Sequence, residues 1–177
     1  MSYTELFYLL SSGGWMMLGN YTANNALKVV GFKAFHNLPD GNILMKNTFL
    51  KDLEALSHFG QIRVYCYKPS VGRVVHFTTK LNEMGIKIRN MTVANTGFTG
   101  YNIDVKKGLQ ALPGDQSRIV EGANTAGFAT GDWGYHKYMV YVDQEAYVNI
   151  INSPGSKTLQ CDDAGSDNEG SFEFYIR

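Results

Sequence analysis

The sequence predicts an α+β fold that is mainly antiparallel β and sandwich-like, with two short helices, in a single globular domain over residues 1–177. Three observations lead to this prediction. Most apolar segments are short and alternate with polar residues, as strands with one buried face do. The 19 glycines indicate many turns. Strand and helix patterns do not alternate regularly, which favours antiparallel pairing over a parallel sheet.

The chain opens with a predicted amphipathic helix that is followed by two strands. Ser2 and Glu5 have the spacing of a capping box, and Gly13-Gly14 provides a stop. The apolar stripe between them consists of Tyr3, Leu6, Leu9 and Leu10. The segments GWMMLGNYT and LKVVGFKAF then have the composition of strands.

A second amphipathic helix is predicted in the segment around residues 48–59. Thr48 is placed to cap this helix and Gly60 to end it. Its shared apolar face consists of Phe49, Leu53, Leu56 and Phe59. His58 then lies at the C-terminus, where a histidine complements the helix dipole.

The clearest hairpin joins QIRVYCYK to RVVHFTTK through a turn at residues 69–72. In its first strand Arg63, Tyr65 and Tyr67 alternate with apolar residues, so Cys66 is expected to point with the apolar set. The segment GIKIRNMTVA predicts a further strand. Residues 95–132 are rich in Gly, Asn, Thr and Asp, with a break at residues 113–115, and are expected to hold long loops.

Strand patterns return in YHKYMVYVD and AYVNIIN, which a tight turn at residues 143–145 joins. The segment PGSKT is interpreted as a hairpin turn, because a strand follows it where a phosphate-binding loop requires a helix. The final segment GSFEFYIR alternates between two sets of side chains. Phe172, Phe174 and Ile176 share one face, and Glu173, Tyr175 and Arg177 share the other.

The charge balance of the chain excludes two classes of partner. Lysine plus arginine equals aspartate plus glutamate at 16 each, so no overall positive field attracts nucleic acid or an acidic membrane surface. No apolar run approaches the roughly 20 residues that a membrane helix needs. We therefore expect neither a nucleic-acid partner nor membrane insertion.

The stretch GDWGYHKY clusters Asp132, Trp133, Tyr135 and His136 just after the loop-rich region. Flat aromatic faces can stack on a sugar or small polar ligand while neighbouring polar atoms fix its orientation. The alternative is that these aromatic residues belong to the core at the start of a strand. Arg73 and His76 are further ligand candidates, which together with Asp132 would supply acid-base groups if the protein were an enzyme with a buried pocket.

An acidic segment before the last strand is a candidate calcium site. Its oxygen-bearing residues are Asp162, Asp163, Asp167, Asn168 and Glu169. Calcium takes six to eight oxygen ligands, and glycines in such a loop allow carboxylates and carbonyls to converge. The alternatives are a solvated turn and a rim that contacts the ligand directly; no other cofactor is expected.

Cys66 and Cys161 are the two cysteines, and the sequence by itself leaves them either paired or as free buried thiols. Three segments, YCYKPSVGRVVHFTTKLNEMG, WGYHKY and CDD with GSFEFYIR, are similar to a family of largely uncharacterised extracellular domains of invertebrate animals. The matching positions are Cys66, Gly72, Arg73, His76, Trp133, Gly134, Cys161, Asp162, Asp163 and Arg177. The resemblance implies secretion and a disulfide between Cys66 and Cys161. The chain departs from the family between Val93 and Asp132, where further cysteines are expected and none is present.

These observations favour a non-enzymatic extracellular recognition module that binds carbohydrate. Two alternatives stay open. One is a structural or adhesive matrix protein that self-associates into oligomers, and the other is a small-molecule-binding protein or enzyme with a buried pocket. A cytoplasmic location is the alternative to secretion.

Overall fold

The computed structural model describes residues 10–11, 14–23, 35–37, 43–45, 47–94, 104–117, 136–141, 147–153, 156–161 and 169–177. The strands in these ranges are β1 (Leu10–Ser11), β2 (Trp15–Ala23), β3 (Phe35–Asn37), β4 (Ile43–Met45), β5 (Ile62–Lys68), β6 (Arg73–Thr79), β7 (Leu109–Ala111), β8 (His136–Tyr141), β9 (Tyr147–Ser153), β10 (Ser156–Cys161) and β11 (Gly170–Ile176). The helices are α1 (Asn47–Ser57), α2 (Glu83–Ala94) and the single turn α3 (Val105–Gly108). The predicted α+β, mainly antiparallel fold is confirmed.

Eight of the described strands form one antiparallel sheet. Its order is β3-β4-β2-β11-β5-β6-β7, and β1 pairs additionally with β2. The last strand, β11, is therefore central and bonds to β2 on one side and β5 on the other. A bulge shifts the register of β2 and β11 between Phe174 and Tyr175.

The β5–β6 hairpin forms as the sequence predicts. Pro69–Val71 makes a 3-10 turn, and Gly72 ends it in the left-handed conformation at φ 63°. The register places Val64 opposite Phe77 and Cys66 opposite Val75, and all four side chains are fully buried. The alternation of apolar and polar residues therefore predicts correctly which face of each strand is buried.

A second sheet of the described strands has the order β10-β9-β8. Ser153 pairs with Ser156, so β9 and β10 are adjacent antiparallel strands, and the strand expected after the segment PGSKT is present; residues 154–155, where the turn is predicted, are outside the described part. Strand β10 contacts β5, β6 and β11 of the large sheet, and its Leu159 and Cys161 are fully buried. This contact gives the fold its sandwich-like part.

Cys66 and Cys161 form a disulfide between β5 and β10, with Cα atoms 5.7 Å apart. The bridge joins the two sheets through the core across a sequence separation of 95 residues. Fully buried Lys68 adds a second tie, because its Nζ donates to the Leu159 carbonyl oxygen at 2.7 Å.

The helices supply the rest of the layer that covers the buried face of the large sheet. One cluster contains side chains from both layers. Its members include Leu50, Leu53, Ile62, Val64, Val75, Phe77, Ile88, Val105, Leu109, Leu159, Phe172, Phe174 and Ile176. The opposite face of β5, β6 and β11 lies outside this core.

The strand predicted in GIKIRNMTVA is wrong, since these residues belong to helix α2. Ile86 is exposed, whereas Ile88 and Thr92, four residues apart, are both buried, as on one helical face. The Asn82 side chain accepts a hydrogen bond from the Gly85 backbone at 2.8 Å and so caps the first turn. The cap and the spacing of four outweigh the local alternation of isoleucine with charged residues.

The predicted helix near residue 50 is confirmed, but its details differ. It begins at Asn47, so Thr48 lies inside it, and it ends when His58 adopts a left-handed φ of 45° before Gly60. Leu56 is 78% exposed, because six residues rotate it about 120° away from buried Leu50.

The prediction of an opening helix is wrong at its C-terminal end, because Leu10 lies in β1 and pairs with Met16. Residues 1–9 are outside the described part.

The segment 95–132 contains more than loops, since α3 and the edge strand β7 lie within residues 104–117. The predicted break is present there as a turn at Pro113 and Gly114, where Gly114 has φ 87°.

Candidate functional site

The aromatic cluster predicted from GDWGYHKY falls mostly outside the described residues. This is so for Asp132, Trp133 and Tyr135. His136 is the first residue of β8 and pairs with Ile151, but its side chain is not described. A ligand role for these four residues stays a prediction.

The acidic segment is described only at its borders, because Asp162, Asp163, Asp167 and Asn168 are outside the described part. Glu169 is exposed, directly before β11. Cys161 on one border is fixed to β5 by the disulfide. Gly170 on the other lies so close to β5 that a Cβ would be 2.4 Å from the Tyr67 carbonyl oxygen.

Among the described residues, no group of three or more His, Cys, Asp or Glu side chains could hold a metal ion. None of the described helices is both long enough and apolar enough to cross a membrane.

The structure separates the two candidates on β6. Arg73 and His76 are three residues apart on one strand, so their side chains leave opposite faces of the sheet. Arg73 Nη1 donates to the Gln116 carbonyl oxygen at 2.7 Å, whereas the His76 ring contacts Arg63 and Tyr65. His76 is therefore part of a different set of neighbours.

These neighbours lie on the face of β5, β6 and β11 that points away from the core. Directly paired residues of antiparallel strands project from the same face. Tyr65 pairs with both Glu173 and His76, and Arg63 pairs with Tyr175. We call Arg63, Tyr65, Tyr67, His76, Glu173 and Tyr175 the open face.

Arg63 is held on the open face by two contacts. Its Nε donates to His76 Nε2 at 2.9 Å. Its guanidinium carbon lies over the Tyr175 ring, 4.7 Å from the ring centroid. A planar cation with one donor engaged and an aromatic ring beneath it has little freedom to turn.

His76 is in turn oriented by the chain beside β6. Its Nδ1 lies 2.9 Å from the Pro113 carbonyl oxygen, which can only accept, so Nδ1 carries the hydrogen. Nε2 is then the acceptor for Arg63, whose Nε always carries hydrogen. The Asp115 carboxylate accepts from the His76 backbone at 2.7 Å and fixes this turn against the strand. The contacts therefore assign the Nδ1–H tautomer.

Two tyrosines of the open face lie near the carboxylate of Glu173. The Tyr175 hydroxyl donates to Glu173 Oε2 at 2.5 Å, and burial followed by this hydrogen bond raises the pKa of Tyr175 above its ordinary value of 10.0. Burial and then the charge of Glu173 raise the pKa of Tyr65 as well. Both phenols therefore stay protonated to a higher pH than an ordinary tyrosine does.

Several polar groups of the open face have no partner within the described part of the chain. These are the Nη atoms of Arg63, the hydroxyls of Tyr65 and Tyr67, and Oε1 of Glu173. All four residues are half-buried, and none of these atoms is among the fully buried, unpartnered ones. They therefore reach solvent and are able to bind a ligand.

The sequence contained a signal for this site that its separate segments did not reveal. Arg63, Tyr65 and Tyr67 alternate with the apolar residues of β5, and Glu173 and Tyr175 alternate with those of β11. Only the pairing of β5 with β11, which are about 100 residues apart in sequence, brings the two polar sets together.

Comparison with protein-family models, with curated proteins and with solved structures found no match for this chain. The resemblance to extracellular invertebrate domains stays a hypothesis, although the disulfide that it implies is present.

Proposed function

We propose that this chain is an extracellular, non-enzymatic recognition module that binds carbohydrate on the open face. The observation that carries the proposal is the set of solvent-reaching polar groups that lie beside the rings of Tyr65 and Tyr67. They come from two neighbouring strands of one sheet, so the backbone fixes their spacing. A rigid scaffold that presents unpaired donors and acceptors is suited to binding.

A sugar fits these groups because it combines an apolar face with a rim of hydroxyls. Tyrosine rings offer large contact area at low entropic cost, and their hydroxyls both donate and accept. Oε1 of Glu173 accepts from a sugar hydroxyl, and the Nη atoms of Arg63 donate to a sugar oxygen. The open face thus supplies stacking and both kinds of hydrogen bond.

The extracellular location is supported by the disulfide. A buried bridge between two sheets forms and persists in an oxidising compartment, and such bridges are rare in cytosolic proteins. The fully buried sulfurs of Cys66 and Cys161 favour a structural bond over a redox-active one.

A glycan array tests the function with and without a chelator. The wild-type chain is expected to bind a subset of glycans, and Tyr65→Ala to lose most of that signal. Leu81→Ala is the matched control, because this side chain is 71% exposed outside the open face. A silent array in both conditions contradicts carbohydrate binding, and full binding by Tyr65→Ala contradicts the site. Loss of binding with chelator would favour a metal role for the acidic segment.

A further inference from the structure

Arg63 differs from the other described arginines in what its terminal nitrogens contact. In each of the other described arginines, one Nη atom donates a hydrogen bond to a protein oxygen. The acceptors are the Gln116 carbonyl for Arg73, the Glu54 carboxylate for Arg89 and the Gln61 side chain for Arg177. For Arg63, only Nε is bonded within the described part of the chain.

The two contacts of Arg63 hold its guanidinium group in place and leave one edge of that group unbonded within the described part of the chain. His76 engages Nε, and the Tyr175 ring lies beneath the guanidinium carbon. The edge formed by Nη1 and Nη2 is left for a ligand. Two parallel N–H groups on this edge match the two oxygens of a carboxylate.

Arg63 also lacks a directly paired counterion among the described residues. No carboxylate of the described residues lies within ion-pair distance of it, even though Glu173 is on the neighbouring strand. Glu173 is instead bonded through Oε2 to the Tyr175 hydroxyl. A half-buried cation without a directly paired carboxylate interacts more strongly with a ligand carboxylate than a fully solvated cation does.

We propose that the ligand of the open face carries a carboxylate that Arg63 binds in a bidentate manner, so that the bound carbohydrate is acidic and contains uronic acid. This inference rests on the proposed function and narrows its ligand class. In this arrangement the carboxylate contacts Nη1 and Nη2 of Arg63. The neighbouring sugar hydroxyls contact Tyr65 and Glu173.

Calorimetric titration with oligogalacturonate and with its methyl ester tests this inference. The ester keeps the sugar ring but replaces the charged carboxylate with a neutral group that is one methyl larger, so we expect it to bind at least about tenfold more weakly. Arg63→Gln is expected to bind the acid and the ester equally. Arg63→Lys keeps the charge but not the paired donors, so it is expected to retain only part of the preference.

Lys51→Gln is the control that matches the change in net charge, since Lys51 is exposed on α1, away from the open face. It is expected to keep the full preference, and unfolding curves establish that every variant is folded. Equal binding of acid and ester by the wild-type chain overturns the inference. Binding of a neutral sugar from the array without binding of oligogalacturonate also overturns the inference. Either result leaves the proposed carbohydrate-binding function standing. Failure of every sugar overturns the proposed function as well.

Discussion

The two faces of the large sheet are formed by the same strands, but they differ in how far their side chains are buried. On β5, Ile62, Val64 and Cys66 are fully buried, whereas Arg63 and Tyr65 between them are only half-buried. The buried face packs against the helices and β10 and is crossed by the disulfide. The open face has hydrogen-bonding groups that the described protein does not use. Alternate residues of one strand therefore form the core and the proposed binding surface.

Truncation of neighbouring residues of β11 should show the largest difference between the two faces. Phe172 is fully buried, so Phe172→Ala should lower the free energy of unfolding by about 3–5 kcal/mol through lost burial and a cavity. Glu173→Ala should cost less, about 1–3 kcal/mol, since it leaves the buried Tyr175 hydroxyl without its acceptor. Urea unfolding measures both values. Equal losses in the free energy of unfolding would show that the open face contributes as much to stability as the buried face does.

The disulfide tests how firmly β10 is held to the buried face. Replacing both Cys66 and Cys161 with alanine should lower the free energy of unfolding by roughly 2–5 kcal/mol, because the bridge constrains a long loop in the unfolded chain. Urea unfolding of the double variant gives the loss, and the reduced wild-type chain should show a similar one. Unchanged stability on reduction would mean that packing alone holds the sheets together.

Gly170 tests the close approach of β11 to β5. It has φ 145°, and an added Cβ would meet the Tyr67 carbonyl oxygen, so Gly170→Ala should cost about 1–3 kcal/mol. Gly72→Ala is the matched control, because Gly72 also has positive φ but nothing lies within 4 Å of its added Cβ. Thermal unfolding should therefore show the larger loss for Gly170. The reverse order would contradict the tight packing at this border.

The buried phenol of Tyr175 should make stability fall in alkali. Its pKa is raised in the folded state, so the folded chain keeps a proton that the unfolded chain releases. The stabilisation is fully present below the ordinary tyrosine pKa of 10.0 and is lost as pH rises above it. Urea unfolding at increasing pH should show this decline, and Tyr175→Phe should reduce its slope. An identical slope in the variant would contradict the assignment to Tyr175.

The smallest expected change in stability is that of Arg63→Gln. It should stay within about 1 kcal/mol, because Arg63 contributes one hydrogen bond and one ring contact on a half-exposed face. Urea unfolding checks this value. A loss comparable to that of Phe172→Ala would mean that Arg63 is a structural residue, and the open face would then lose its main binding group.

Local patterns were sufficient to predict much of the fold. The alternation in β5 and β11 gave both strands and their buried faces, and the turn at residues 69–72 gave the hairpin. They failed at α2, where Ile86 and Ile88 alternate with charged residues as in a strand. Its buried spacing of four and the cap at Asn82 decide in favour of a helix.

The candidate site was harder to predict because it depends on pairing between distant parts of the chain. His76 was identified from the sequence, but Arg73, its expected companion, leaves the opposite face of β6. Arg63 and Glu173 became neighbours of one site only through the register of β5 with β11. No local pattern specifies which strands lie side by side.

The open face is proposed to bind the ligand. Two-dimensional ¹H–¹⁵N spectra during titration with oligogalacturonate test it residue by residue. The predicted result is that the amide shifts concentrate on Arg63, Tyr65, His76 and Glu173, while those of the helices change little. Shifts confined to other parts of the chain, with these four amides unchanged, would contradict the claim.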